Sequence, residues 1–118
     1  MSYVDGYVLP IPKKNVKAYI RMARMGEKMW MKHGALDYKE CVGDDLKVKW
    51  GTGFAKTMKL KPGETVVFAY VVFKSKAHRD SVNAKVMKAM EKMGDISKQI
   101  PFDVKRMAYG GFKTAVES

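Results

Sequence analysis

An α+β fold, with two long helices on one face of a mostly antiparallel sheet, is what this chain predicts, and three observations predict it. The sequence runs twice through strand, helix and strand, first over residues 3–41 and again over residues 66–112. Both helical stretches carry an apolar stripe at helical spacing. Glycine and proline punctuate the segments between them where turns are needed.

The first strand, residues 3–9, alternates Tyr3, Asp5, Tyr7 and Leu9 on one face with Val4, Gly6 and Val8 on the other, and Pro10 and Pro12 are expected to end it. Residues 13–33 then read as a helix. Val16, Tyr19, Ile20, Ala23, Gly26 and Trp30 form its core stripe, Met22, Met25 and Met29 widen it, and Glu27 falls within it by angle. Gly34 suits the left-handed residue that follows a helix. Residues 36–42 return to a period of two, and Gly43-Asp44-Asp45 reads as a turn. Residues 54–60 are expected to form a strand, joined as a hairpin to residues 65–73 by the turn Lys61-Pro62-Gly63-Glu64.

Ser75 is placed to cap a second helix running to about residue 93, whose stripe is Val82, Val86, Ala89, Met90 and Met93. His78, Arg79 and Asn83 continue that stripe toward its start. Residues 94–103 are a loop holding Pro101, and residues 105–114 are the last strand. Its Gly110-Gly111 pair marks a bulge or the close approach of another backbone.

Taken in order, these elements make a ferredoxin-like βαββαβ sandwich with an extra hairpin strand, one domain over residues 1–118. The sheet face away from the helices needs cover, because aromatic strand positions such as Tyr3, Tyr7, Tyr70 and Tyr109 would leave too large an apolar patch on a monomer. A homodimer packed sheet on sheet supplies that cover.

Composition narrows the function classes. With 47% apolar and 30% charged residues the chain can bury a core, and its longest apolar run, residues 65–73, is too short to cross a bilayer. The N-terminus lacks the pattern of a signal peptide, and one cysteine, Cys41, allows no internal disulfide, so a cytoplasmic protein is expected. The excess of 23 basic over 12 acidic residues, a formal charge of +11, raises the question of nucleic acid. Most of it lies on the two helices, without aromatic and basic residues interleaved on a strand, which reads as a solvated cationic face. His78-Arg79-Asp80 lacks the glycine-rich loop of a kinase, and two distant histidines with one cysteine make no zinc motif.

Several stretches together resemble a known family. Tyr3-Val4-Asp5-Gly6-Tyr7-Val8, Gly34-Ala35-Leu36, Thr65-Val66-Val67-Phe68, Arg79-Asp80 with Asn83, Pro101-Phe102-Asp103 and Lys105-Arg106-Met107-Ala108-Tyr109-Gly110-Gly111-Phe112 are similar to the YbaA-like family of uncharacterised bacterial proteins. The resemblance implies a dimeric α/β barrel, the architecture also used by small cofactor-free monooxygenases, haem-degrading enzymes and isomerases. Haem-degrading members of that superfamily place an asparagine on the first strand, with a tryptophan and a histidine elsewhere. Asp5 stands on that strand here, and Trp30 and His33 share one helix, so no cofactor is expected.

The function these readings support is small-molecule binding by a dimeric α/β-barrel protein, with cofactor-independent monooxygenase-like or isomerase-like chemistry as its enzymatic form. Asp5 and Glu27 are the candidate catalytic carboxylates, and Arg79, Asn83, Arg106 and Tyr109 the candidate ligand-binding groups. For Glu27 the competing arrangement is pairing with Arg24 or Lys28 at the helix edge. For Arg79 it is a clamp to Asp103 or to a strand carboxylate. Two other functions compete, a non-catalytic structural or protein-interaction dimer and nucleic-acid binding through the basic helices.

Overall fold

A computed structural model of the chain describes residues 1–95 and 99–118; positions 96–98, within the loop expected over residues 94–103, lie outside the described residues. The element order is β1 (Tyr3–Pro12), a 3₁₀ turn (Lys13–Asn15), α1 (Val16–Lys32), β2 (Asp37–Val42), α2 (Phe54–Thr57), β3 (Glu64–Phe73), α3 (Lys76–Glu91), a 3₁₀ turn (Val104–Arg106) and β4 (Ala108–Lys113). The four strands form one antiparallel sheet in the order β2-β3-β1-β4. It is a mixed α+β fold, about 20 Å along its thinnest axis, the depth of one sheet and one helix layer. Among the described residues no helix is long and apolar enough to cross a membrane.

β1 is longer than the sequence predicts because its prolines do not break the ladder. Lys13 N–H donates to Gly63 O, on the β3 side. Alternation then turns the positions of Pro10 and Pro12 toward the opposite edge, where β4 pairs only as far as Val8. A missing N–H costs nothing on an open edge.

α1 ends as its sequence predicts. Gly34, at φ 113°, follows the helix, with Gly34 N–H donating to Met31 O and Ala35 N–H to Trp30 O, the paired bonds of a Schellman stop. Ser75 caps α3 by accepting from His78 N–H, and Glu64 N–H closes the Lys61-Pro62-Gly63-Glu64 turn onto Lys61 O with Gly63 at φ 82°.

Residues 54–60 correct the expected hairpin. Phe54 and Met58, four apart, satisfy one helical turn as well as an alternating strand, and the chain takes the turn, with Met58 N–H donating to Phe54 O at 2.8 Å. β3 pairs instead with β1 and β2. Gly43-Asp44-Asp45 is not a turn either: its backbone stays beside β3, with Gly43 N–H donating to Val66 O at 2.7 Å. The last strand starts later than expected because Asp103 accepts from Lys105 N–H and holds residues 104–106 in a 3₁₀ turn. Gly110 and Gly111 carry no bulge, since their register with Gly6 and Asp5 is unbroken. The close approach there is by a side chain, the ring of Tyr3, whose Cε1 would lie 2.8 Å from a Cβ on Gly111.

The core lies between the sheet and the two long helices. Leu9, Ile11 and Val67 pack on Tyr19 and Ala23 of α1, while Val71 and Phe73 pack on Val82 and Val86 of α3. Each buried valine of α3 is worth about 1.5–3 kcal/mol. Leu9 and Ile11 fix the register of the faces, so Tyr3, Asp5 and Tyr7 also point toward the helices. Tyr3 and Tyr7 are thus not on the open face as expected, and of the strand tyrosines named there Tyr70 is. The open face carries Phe68, Tyr70 and Phe112 around the facing pair Gly6 and Gly110.

Candidate functional site

A cleft of about 310 Å³ opens between α1, the end of α3 and the sheet. Its floor comes from alternate positions of three strands, Tyr7 and Leu9 of β1, Ala69 and Val71 of β3, and Tyr38 and Glu40 of β2. Met22, Met25, Met29 and Trp30 of α1 form one wall. Met90 and Met93 form another, and Ile100, Phe102 and Met107 close one end. Methionine is unbranched and polarizable, so this wall can change its shape at little cost. The methionines that widen the stripe of α1 are therefore cleft wall.

Glu40 is the polar centre of this cleft. Tyr19 OH donates to its Oε1 and Tyr38 OH to its Oε2, both at 2.6 Å, the length of a charge-assisted bond. Both oxygens of Glu40 accept and both phenols donate. Burial, and then the bond to Glu40, pushes the phenols of Tyr19 and Tyr38 well above the ordinary tyrosine range. Tyr7 is pushed up to about 12, by burial first and then by the charge of Asp5. Gly26 of α1 makes room for this arrangement, since a Cβ there would stand 3.1 Å from Tyr38 OH.

Behind the cleft runs a second polar chain. Asp5, 4% exposed, lies 3.7 Å from Arg79 Nη1 and accepts from Asn83 Nδ2 at 3.3 Å. Asn83 Oδ1 in turn accepts from Trp30 Nε1 at 3.0 Å, so the chain ends on the cleft wall. At its other end Arg79 donates to Tyr3 OH and lies over the Tyr3 ring, 5.0 Å from its centroid. Buried Arg79 Nε lies 3.2 Å from Asp80 Oδ1, but without the geometry of a hydrogen bond.

The structure thus brings together three of the residues expected to form a site, Asp5, Arg79 and Asn83, as a clamp between β1 and α3 rather than as lining of the cleft. Arg79 is the clamp to a strand carboxylate. Glu27 is exposed, which removes it from the core stripe; a rotation of the helix by a fraction of a residue is enough to turn it out. Arg106 lies away from the cleft, in a fork with Glu64 at 2.7 and 2.9 Å and on Lys59 O at 3.0 Å, beside a shallower recess. Tyr109, 72% exposed on the edge strand, stacks on Tyr7 at 5.9 Å. Sequence reasoning missed Glu40, Tyr19 and Tyr38 as a polar unit. The available signal was the alternation of β2, which sets Tyr38 and Glu40 on one face. Among the described residues no cluster of three or more His, Cys, Asp or Glu side chains could hold a metal ion.

Comparison with solved structures gives weak likenesses, a de novo designed protein, Foldit4, at TM-score 0.45 and 9% identity over 99% of this chain and 100% of that one, and a hydantoinase/carbamoylase family amidase from Burkholderia ambifaria at TM-score 0.36 and 12% identity over 93% of this chain and 26% of that one. Neither bears on fold or function. The sequence is 36% identical over 117 residues to the uncharacterized protein YbaA of Escherichia coli strain K12, covering 99% of each chain. It has the same identity and coverage with the YbaA protein of Shigella flexneri. A family model described as a protein of unknown function, DUF1428, matches residues 2–104. With most of its length matched by that model and nearly all of it aligned to YbaA, the chain belongs to the DUF1428 family of proteins of unknown function.

Proposed function

We propose that this is a small-molecule-binding protein, a dimeric α/β barrel of ferredoxin-like protomers with the ligand held between helices and sheet. The observation that carries the reading is the cleft itself, a methionine- and aromatic-walled space with one polar centre at Glu40. Ligand sites have this makeup, apolar walls with a few placed polar groups, and volumes of roughly 300–1,000 Å³. The strand order β2-β3-β1-β4 agrees with a ferredoxin-like protomer.

The open sheet face supports the dimer. Phe68 and Phe112 are 44% and 61% exposed there, beside Val4, Val8 and Val72, and the paired Gly6 and Gly110 leave the face low at its middle. Two copies stacked on this face would bury it twice over. Native mass spectrometry of protein purified gently from its source tests both halves of the proposal. A dimer with a stoichiometric small adduct is the expected result. A monomer would overturn the barrel, and failure of the purified protein to take up any apolar small molecule would overturn the binding.

A further inference from the structure

Glu40 is the one charged side chain among the described residues that line the cleft, in a chain with 23 lysines and arginines. The other carboxylates drawn into the fold are matched with arginine, Asp5 with Arg79 and Glu64 with Arg106. Glu40 forms no ion pair among the described residues. Among the described residues its hydrogen-bond partners are phenols, which satisfy one lone pair on each oxygen and leave acceptor capacity on both. A carboxylate set against apolar walls with no lysine or arginine on it among the described residues is a natural seat for a ligand that brings a positive charge.

We propose, on the reading of the cleft as a small-molecule site, that its ligand is an organic cation, a protonated amine or quaternary ammonium on a compact apolar body, with the charged head at Glu40 and the body against the methionines. The aromatic surroundings suit such a head. Tyr38 carries one bond to Glu40, and its ring centroid lies 6.0 Å from that of Trp30. A cation seated over the free face of either ring would be attracted through the ring's quadrupole, by an amount that grows when water is excluded. An anionic guest would meet Glu40 as a like charge, and a guest without a donor would leave its spare lone pairs unmet.

Trp30 lines the cleft, and Trp50, the other of two tryptophans, is 89% exposed. A Trp50→Phe background therefore makes Trp30 the sole indole reporter. In that background the fluorescence of Trp30 is titrated with 4-phenylbutylamine, 4-phenylbutan-1-ol and 4-phenylbutanoate, which share one apolar body and differ in charge. The amine is expected to bind about tenfold or more tightly than the alcohol, and the carboxylate most weakly of the three. Glu40→Gln should remove most of the amine's advantage over the alcohol, read as the ratio of the two affinities in the same variant. Equal binding of amine and alcohol, or tighter binding of the carboxylate, overturns the cation and leaves the cleft as a small-molecule site. No response to any of the three overturns both. If Glu40→Gln fails to fold by circular dichroism, the ranking of the three probes on the unmodified glutamate still decides.

Discussion

At the scale of single residues the fold turns on where it puts its carboxylates. Asp5 sits on the central strand with its charge facing the helices, and it is tolerable there because α3 delivers Arg79 and Asn83 to it. Asp5→Ala would strand a partly buried guanidinium and an amide, and should cost about 1–3 kcal/mol of stability, read from urea unfolding. Gly26 argues differently. An alanine there gains up to ~1 kcal/mol of helix propensity but presses on Tyr38 OH, which Glu40 holds at 2.6 Å. Gly26→Ala should therefore unfold within about 1 kcal/mol of the parent, since the two effects oppose. It should still bind cleft probes more weakly by Trp30 fluorescence. The tie from Arg79 to a strand carboxylate was legible, because helix spacing put Arg79 on the inner face and few acidic groups were near it in the topology. Glu40 was not, because nothing in an alternating strand says which face meets the helices until Leu9 and Ile11 on the neighbouring strand are seen to choose it.

Elements are held together at their ends by short-range polar devices, and most of these were legible. Gly34 and Ser75 act through their own backbone neighbours, so their sequence positions were enough. Residues 54–60 satisfied both periods at once, and only tertiary pairing of β3 with β1 and β2 decided against a strand. The fork of Arg106 on Glu64 ties the start of β3 to the turn before β4, a pairing across 42 residues that no local pattern announces. It holds the Glu64 carboxyl down to about 2, chiefly through the Arg106 bonds and then through Lys61 N–H. A carboxylate depressed in the folded state contributes stability that is complete above its ordinary 4.5 and is lost as pH falls toward 2. Urea midpoints measured from pH 6 down to pH 2 should fall over that window, and Arg106→Leu should flatten this limb.

For the whole molecule the asymmetry between the sheet's two faces is decisive. One face is filled by α1 and α3, while the other presents Phe68 and Phe112 to solvent in a single chain. The aromatic strand positions behind the expected cover were misplaced, since Tyr3, Tyr7 and Tyr109 share the helix-side face and only Tyr70 lies on the open one; a shift of one position exchanges the faces. If the proposed sheet-on-sheet pairing holds, sedimentation velocity should find the parent as a dimer and Phe68→Glu together with Phe112→Glu as a folded monomer. Secondary structure should be unchanged by circular dichroism, because neither side chain belongs to the core clusters.

The wall of the cleft has one further consequence. Thioethers that conform to a greasy guest are also the side chains most readily converted to sulfoxides, and six of the ten methionines stand on this wall, with Met25 half exposed at its rim. Oxidation there would set polar, bulkier groups against the core as well, since Met29 and Met90 pack on the valines and phenylalanine under α3 and Met22 and Met107 on the cluster around Leu9 and Ile11. Peroxide would thus deform the cleft and loosen the fold together, and a sulfoxide reductase would find Met25, half exposed at the rim, the easiest to repair.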